Sequence, residues 1–554
     1  MKTEPQFTLA MYDVRGIQNY IFRTNKLKEI IGASSIVENI IQDALSYAIQ
    51  QTQLEKQAIL SWEKEEELFI FEENSDISIQ VLFIGGGNAY VMYRDKELAV
   101  RITKDMSRFV LDKTYSLQLA VAMVPKTESY QKDYQNVQNK MSEIKSSMPF
   151  SRCLGALPIV EIDDMTGFPY SVDDKEKLKY KKEYQMNLCN ESTQKLIQYY
   201  EMTESGAEKH HDNLITEKGV QSTIAVVHID GNNMGMRIRS LIEHHDTYES
   251  AVKKMRTISK NINYSFKDAY EQMEQYLKNW LQSEDNKILN PSGVYLRKII
   301  VAGDDITFVC NGKIALSLVK YFIQQVSKKV MDGTQKKKNI ERYGMSVCAG
   351  IAYTHSHFPF SVAYHVAEEC CSSAKARAKE TEHIQEIRME NGQAMDRIGN
   401  WVDFQICKNV QNIDLENSRE KNYRISEEEY LLRRPYYVEI LPQGTDDTVE
   451  QAYLKMNEKN KAYAFSIFEK LYTYFSDNKQ IPSSMAKTLR NTYPLGKNAM
   501  EEYIQFVESR GKFSDSLKAK ELSGSELDFG YIFDGNEMVA AWYDALEMLD
   551  LYEG

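Results

Sequence analysis

Two stretches of this chain, VLFIGGGNAYVMY (81–93) and IIVAGDDITFVC (299–310), share one layout: an apolar run, a turn of small residues, and a second apolar run. That pattern specifies a β-hairpin, because apolar and β-branched residues suit strands and glycine supplies the turn. Each hairpin also lies at the same distance from the end of an earlier apolar run. Asp13 to Gly87 and Asp230 to Asp304 are both 74 residues. A fixed period with matching flanks is the sequence signature of a duplicated unit. The duplication constrains the fold most, since whatever sheet one hairpin completes, the other must complete as well.

The flanks define that sheet. FTLAMYDV (7–14) reads as a strand, residues 26–50 show the i, i+3, i+4 apolar recurrence of a long helix, a helix follows the hairpin over about 96–112, and LQLAVAMV (117–124) is a further strand. The second copy runs in the same order: a strand at 222–229, helix-rich sequence at 247–283, the hairpin, a helix at 313–330, a strand at 345–353 and a helix at 359–380. The order β-α-β-β-α-β is the ferredoxin-like arrangement. We therefore expect an α+β chain with two ferredoxin-like domains, at 1–127 and 220–390, a polar inter-domain segment at 128–219 containing a helix at 128–146, and a mostly helical C-terminal domain at 391–554. In that last segment EMVAAWYDALEMLDLY reads as an amphipathic helix with Trp542, Leu546, Leu549 and Tyr552 on one face.

Charge narrows the partners. With 80 acidic against 68 basic residues among 554, the net charge is -12, which makes general binding to duplex nucleic acid unfavourable, because such affinity comes from neutralising phosphates with Lys and Arg. No stretch approaches the roughly 20 apolar residues of a membrane helix, and the N-terminus lacks a signal-peptide layout. We expect a cytoplasmic protein without membrane partners. The seven cysteines are scattered, with no CxxC pair, as expected of reduced thiols; Cys370 and Cys371 read as core-facing.

The two copies differ at the tip of the hairpin. The second carries Asp304 and Asp305 after Gly303, and Asp230 closes its first strand, followed by Gly231; the first copy has Gly85, Gly86 and Gly87 and no carboxylate. In a β-α-β-β-α-β sheet the end of the first strand and the tip of the hairpin meet at one edge, so the three aspartates can share metal. Clustered carboxylates suit Mg²⁺ or Mn²⁺, hard cations that also take substrate phosphates. Such ions neutralise the charge that develops in phosphoryl and nucleotidyl transfer. The candidate metal ligands are Asp230, the Gly231 carbonyl, Asp304 and Asp305, and Gly303 lets a triphosphate approach the backbone. Read alone, Asp304-Asp305 is also an ordinary solvated turn.

HIDGNNMG, AGDDITF and SVCAGIAYTHSHFPFSVAYHVAEECCSSAKARAK together resemble the second palm domain of the large subunit of type III CRISPR effector complexes, the Csm/Cmr large-subunit family, a GGDEF-like palm related to cyclases and polymerases. DVRGIQNYIFRTNKLKEIIGASSIVENI resembles the first palm of that family. The resemblance implies a metal-dependent nucleotidyltransferase that joins ATP or other nucleoside triphosphates into a cyclic oligonucleotide second messenger in antiviral defence. Under it Asp230, Asp304 and Asp305 are the catalytic candidates, and Lys375 and Lys379 are triphosphate contacts. Asp13, Gly16, Gln18 and Ser34 would line an acceptor pocket in the unarmed palm, the alternative being that this palm is a structural brace. The chain departs from the family at Ala302, where the motif has glycine, and at Asn232, where a second acid is usual. Its zinc element is reduced to Cys153 and Cys189, from which we expect no structural zinc, and no HD nuclease is expected ahead of the first strand.

A second functional reading stands beside the enzyme: a non-catalytic CRISPR-type scaffold, or a nucleotide- or RNA-binding subunit. RRPYY (433–437) is the basic and aromatic patch that would serve RNA, or else a surface loop. Other defence proteins and a homodimer are the further partners to consider. EKHHD (208–212) and EHHD (243–246) read as solvated or structural, and His228, on the strand face of Asp230, as a structural histidine.

Overall fold

In the computed structural model the first apolar run becomes strand β1 (Thr8–Arg15), followed by helices α1 (Ile17–Ile21) and α2 (Leu27–Gln51), a short edge strand β2 (Ala58–Ile59), the hairpin strands β3 (Ile79–Gly85) and β4 (Asn88–Tyr93), helix α3 (Lys96–Thr114), strand β5 (Gln118–Pro125) and helix α4 (Tyr130–Ser147). The structure describes residues 7–63, 74–85, 87–148, 159–170, 188–202, 214–217, 221–242, 247–329, 344–388, 394–408, 414–440, 447–510, 522 and 530–552. Gly86, Cys153 and the two histidine-containing stretches at 208–212 and 243–246 fall outside them. The chain divides into two compact units, one of residues 1–210, 233–266 and 298–305, the other of 211–232, 267–297 and 306–554.

The sheet of the first palm has the order β2-β3-β4-β1-β5. β1 runs antiparallel to both β4 and β5, as the ferredoxin-like order requires. The register places Asp13 opposite Asn88, and the Val14 amide donates to the Gly87 carbonyl at 3.2 Å, so the end of β1 does meet the hairpin tip in this copy. Glycine is needed at the tip because Gly87 has φ +77°, a left-handed conformation that other residues adopt at a cost. α4 packs on β1 and β5: Lys140 donates to the Met123 carbonyl at 2.8 Å and Arg15 to the Met148 carbonyl at 3.0 Å. Helix α5 (Asn190–Met202) packs on α2, where Gly32 admits the Lys195 carbonyl to a distance no Cβ would allow.

The second palm repeats the plan with β6 (Thr223–Gly231), helices α6 (Met234–Ile242) and α7 (Tyr248–Leu281), hairpin strands β7 (Leu296–Ala302) and β8 (Asp305–Asn311), helix α8 (Ala315–Val326), strand β9 (Val347–His355) and helix α9 (Phe360–Ala378). A small hairpin, β10 (Gln385–Arg388) and β11 (Ala394–Arg397), leads to β12 (Trp401–Ile406). The sheet order β14-β12-β9-β6-β8-β7, in which β14 is Tyr436–Tyr437, contains the ferredoxin-like core β9-β6-β8-β7, and β12 extends it by pairing parallel to β9. WVDFQI is thus a palm strand, with Trp401, Val402 and Phe404 buried.

The C-terminal part is mostly helical, with β13 (Glu429–Tyr430), β14 (Tyr436–Tyr437), α10 (Leu415–Tyr423), α11 (Asp447–Lys459), α12 (Phe465–Ser476), α13 (Ser483–Thr492), α14 (Lys497–Ser509), β15 (Tyr531–Asp534), β16 (Glu537–Ala540) and α15 (Tyr543–Glu547). Two expectations fail here. The expected helix through EMVAAWYDALEMLDLY begins instead as β16, paired antiparallel to β15 across a turn at Gly535 with φ +61° and parallel to β13; the apolar residues are buried but only 543–547 are α-helical. RRPYY is neither an RNA-facing patch nor a surface loop: Arg433, Arg434, Tyr436 and Tyr437 are all buried. Arg434 pairs with Asp544 at 3.2 Å and with Glu547 at 2.8 Å, while Asp544 also accepts from the backbone amides of Arg433 and Arg434 and from the Tyr436 hydroxyl. The region's basic charge is therefore spent inside the protein.

The packing that positions the second palm's helix is a glycine contact. A Cβ at Gly350 of β9 would lie 1.9 Å from the Ala367 carbonyl oxygen and 2.3 Å from the Cys371 amide of α9. These are backbone atoms that no rotamer change can move. We expect Gly350→Ala to destabilise the protein by about 3 kcal/mol, the upper range for overpacking, as measured by denaturant unfolding. Arg434→Ala leaves Asp544 and Glu547 buried without their cation; a loss of about 3–5 kcal/mol is expected, and a loss below about 1 kcal/mol in the same assay would contradict this description of the network.

Candidate functional site

Strand alternation sets out one face of the second palm. β6 and β9 pair antiparallel with His228 opposite Gly350 and Asp230 opposite Cys348, so these four residues share a face. α9 covers it: Gly350 receives the Ala367–Cys371 turn, and the Cys371 thiol donates to the Cys348 carbonyl at 3.3 Å. The helix buries a small-residue stripe of Ala363, Ala367, Cys370, Cys371, Ala374 and Ala378. Small residues allow close approach, and one turn beyond Cys371 the side chain of Lys375 reaches the end of β6.

There Lys375 Nζ donates to Asp230 Oδ2 in a short ion pair and to the Gly231 carbonyl at 3.3 Å. Burial alone would lower the Lys375 pKa, but the Asp230 carboxylate outweighs it and holds the ammonium above its ordinary range. The pair is partly solvated, with the side chains 23% and 38% exposed, so it contributes no more than about 1 kcal/mol. A cation thus already bridges the carboxylate and the carbonyl named from the sequence as metal ligands, and this donor set of hard oxygens fits Mg²⁺ or Mn²⁺. Lys379 follows at the C-cap of α9 and is exposed.

Around Asp230 the structure fixes two neighbours. Asn232 is buried; its side-chain amide donates to the Gly399 carbonyl at 3.0 Å and its backbone amide to the Ser346 carbonyl at 2.8 Å. An aspartate would have no hydrogen to give Gly399, which accounts for asparagine at this position. Sequence reasoning missed this role, because Gly399 is 167 positions away. His228 is buried, with Nδ1 3.3 Å from the Thr307 hydroxyl and its ring edge-on to Tyr364. Burial pushes its pKa down, consistent with a neutral, structural imidazole.

The armed hairpin turns tightly. β7 ends at Ala302 and β8 begins at Asp305, leaving Gly303 and Asp304 as a two-residue loop. Gly303 has φ +63° and Asp304 does not have a positive φ, the type II′ pattern in which glycine takes the first central position. Asp304 therefore sits at the tip and Asp305 opens β8, both half-buried. β8 is the sheet neighbour of β6, while residues 298–305 group with the first compact unit. Asp230, Gly231 and Lys375 are brought together directly; Gly303, Asp304 and Asp305 are together on the tip.

In the first palm Asp13 is held by Lys145 of α4 at 2.6 Å, and burial raises its pKa despite that partner. Gly16 has φ +82° with open space where a Cβ would be, and Gln18 is exposed. Ser34 donates its hydroxyl to the Ile299 carbonyl of β7 in a short hydrogen bond. The candidate acceptor residues thus lie at the end of β1 and on the two helices that follow it.

Residues 223–383 match the family described as Cas10/Cmr2, second palm domain. The chain is similar in structure to a chain of the Csm1–Csm4 cassette in complex with pppApA, at 13% identity and TM-score 0.49, covering 99% of this chain and 70% of that one. It is also similar to one from the cassette in complex with cA3, at 12% identity and TM-score 0.47 with the same coverages. A third, from the cassette in complex with cA4, has 13% identity and TM-score 0.43 over 71% of this chain; the match spans 56% of that chain's length. No curated protein matches the sequence. Among the described residues no helix is long and apolar enough to cross a membrane.

A divalent cation held by Asp230 and the Gly231 carbonyl would compete with the Lys375 ammonium for the same oxygens. Lys375→Met should therefore raise Mn²⁺ affinity without nucleotide by up to about fivefold, the equivalent of a pair contributing about 1 kcal/mol. Titration calorimetry checks this; an unchanged or lower affinity in the variant would show that the lysine does not compete.

Proposed function

We propose that this chain, whose residues 223–383 carry a Cas10/Cmr2-type second palm, is a nucleotidyltransferase that joins ATP into a cyclic oligoadenylate. The observation that carries the reading is the pair of carboxylates on the hairpin tip, Asp304 and Asp305, which the first palm lacks; at the end of β6 one ammonium bridges Asp230 Oδ2 and the Gly231 carbonyl. An arrangement that already accommodates positive charge between a carboxylate and a carbonyl is suited to a metal-bound triphosphate. In this reading Asp230 at the end of β6 and Asp304 and Asp305 on the tip of the armed hairpin are the catalytic carboxylates, and β6 and β8 are neighbours in the strand order of one sheet. When bound, Mg²⁺ or Mn²⁺ would polarise the attacking hydroxyl and neutralise the departing pyrophosphate.

The chain's own residues supply the rest. The glycine turn at 303 brings backbone close to the phosphates without a Cβ in the way. Lys375, fully charged at neutral pH, exchanges its carboxylate partner for a phosphate oxygen, and Lys379 adds charge one turn further on. A ribose hydroxyl forms a bond to the α-phosphorus of the next nucleotide, the bond to the β-phosphate oxygen breaks, and pyrophosphate leaves while the hydroxyl proton passes to solvent. In the first palm, which has no carboxylate on its tip, Asp13, Gly16, Gln18 and Ser34 would line a pocket for the acceptor nucleotide. Burial of RRPYY removes the feature that spoke for an RNA-binding scaffold.

Purified protein incubated with radiolabelled ATP and Mn²⁺ should give a phosphatase-resistant product. Asp304→Ala/Asp305→Ala and Asp230→Ala should each reduce its formation by about a thousandfold or more, the scale of losing electrostatic stabilisation of the transferred phosphoryl. Nucleotide binding without turnover, or turnover indifferent to all three aspartates, would sink the assignment.

A further inference from the structure

We propose that Glu380, Glu382 and His383, in the loop that follows α9, form a binding site for a first-row transition dication such as Zn²⁺. One ligand atom from each of the three lies within 4.8 Å of the others. His383 Nε2 is 3.5 Å from Glu380 Oε2 and 3.5 Å from Glu382 Oε1. The histidine is only 3% exposed, and its Nε2 has no hydrogen-bond partner among the described residues. A buried polar atom in that condition calls for an explanation.

The protonation of the ring follows from its other nitrogen. Nδ1 lies 2.7 Å from Asn460 Oδ1, and Asn460 turns its amide nitrogen the other way, donating to the Met456 carbonyl at 3.0 Å. Nδ1 therefore carries the hydrogen and Nε2 keeps its lone pair. That lone pair faces two carboxylates, so three acceptors converge with no donor among them. A cation resolves the conflict. Arg377 takes one position on Glu380 Oε2 at 3.2 Å, and each ionised carboxylate retains further lone pairs.

The surroundings are those of a built site. The imidazole packs edge-on against Trp401 and Tyr463, and Lys459 donates to the Thr381 carbonyl at 3.3 Å and, more closely, to the Ile384 carbonyl. A carbonyl acceptor on the second ring nitrogen is the usual means of fixing a metal-ligating histidine. Imidazole with carboxylates favours Zn²⁺ and its neighbours, whereas Mg²⁺ prefers oxygen alone. With three protein ligands, the site would tie the end of α9, which carries Lys375, to the helix and turn bearing Lys459 and Asn460.

Co²⁺ is the probe. In the Asp304→Ala/Asp305→Ala background with excess Mg²⁺ to occupy the remaining palm oxygens, one equivalent of Co²⁺ should bind with visible d–d absorption that differs from that of the aqueous ion. Glu382→Gln changes a side chain that is 68% exposed, so the fold survives; it should abolish the band and the rise in melting temperature that Zn²⁺ alone produces. Asn460→Ala should weaken binding about 10–100-fold through the freed ring. The same stoichiometry and spectrum in Glu382→Gln and His383→Gln as in the parent, or no Co²⁺ bound by the parent, overturns the proposal.

Discussion

The second palm depends on how closely α9 can lie on β9. Only a residue without a side chain allows the Ala367–Cys371 turn to rest on the sheet at Gly350, and the small residues along the helix continue that contact. The consequence is geometric: a helix held this near the sheet delivers its last turn to the end of the adjacent strand, where Lys375 finds Asp230. A larger residue at 350 would lift the helix and withdraw the lysine. Packing and charge placement are one arrangement here.

The two palms share more than the repeat first suggested. In each, an aspartate near the end of the central strand is paired with a lysine from the helix after the last palm strand: Asp13 with Lys145 of α4, and Asp230 with Lys375 of α9. The Asp–Lys pair is thus a feature of the duplicated fold and cannot by itself distinguish an armed palm from an unarmed one. The hairpin tips do: glycine at Gly87, and Gly303 followed by two carboxylates. The difference between the copies lies in Asp304 and Asp305, while Asp230 has its counterpart in Asp13.

Local features were legible in the sequence because short-range physics decides them. The strands, long helices and glycine turns of both palms fall where periodicity and turn chemistry put them. What escaped depended on distant partners. The helix at 130–147 looked like part of a linker because nothing in its own residues announces that it closes the first sheet. Trp401–Ile406 lay in the segment expected to be a mostly helical C-terminal domain, yet it pairs with β9, some 50 residues earlier. RRPYY looked like a basic surface because its counter-charges, Asp544 and Glu547, are more than 100 positions away. At the candidate site, Asp230 was legible as the end of a strand, while its pairing with Lys375 and the tether from Asn232 to Gly399 required the packed helix and loop.

The strength of the Asp230–Lys375 pair bears on what it can do. A permanent structural lock would be buried between charged partners, as Arg434 is with Asp544 and Glu547; this pair is open to water on both partners and contributes no more than about 1 kcal/mol. It is strong enough to keep Asp230 oriented and compensated, and weak enough to yield when a more highly charged group arrives. In the proposed function a metal-bound triphosphate would offer both carboxylate and lysine a new partner at once, so neither charge would be left alone in the exchange. The low energy of the pair is therefore a requirement of the proposed chemistry, since a lysine held by several kcal/mol more would oppose the binding it is meant to assist.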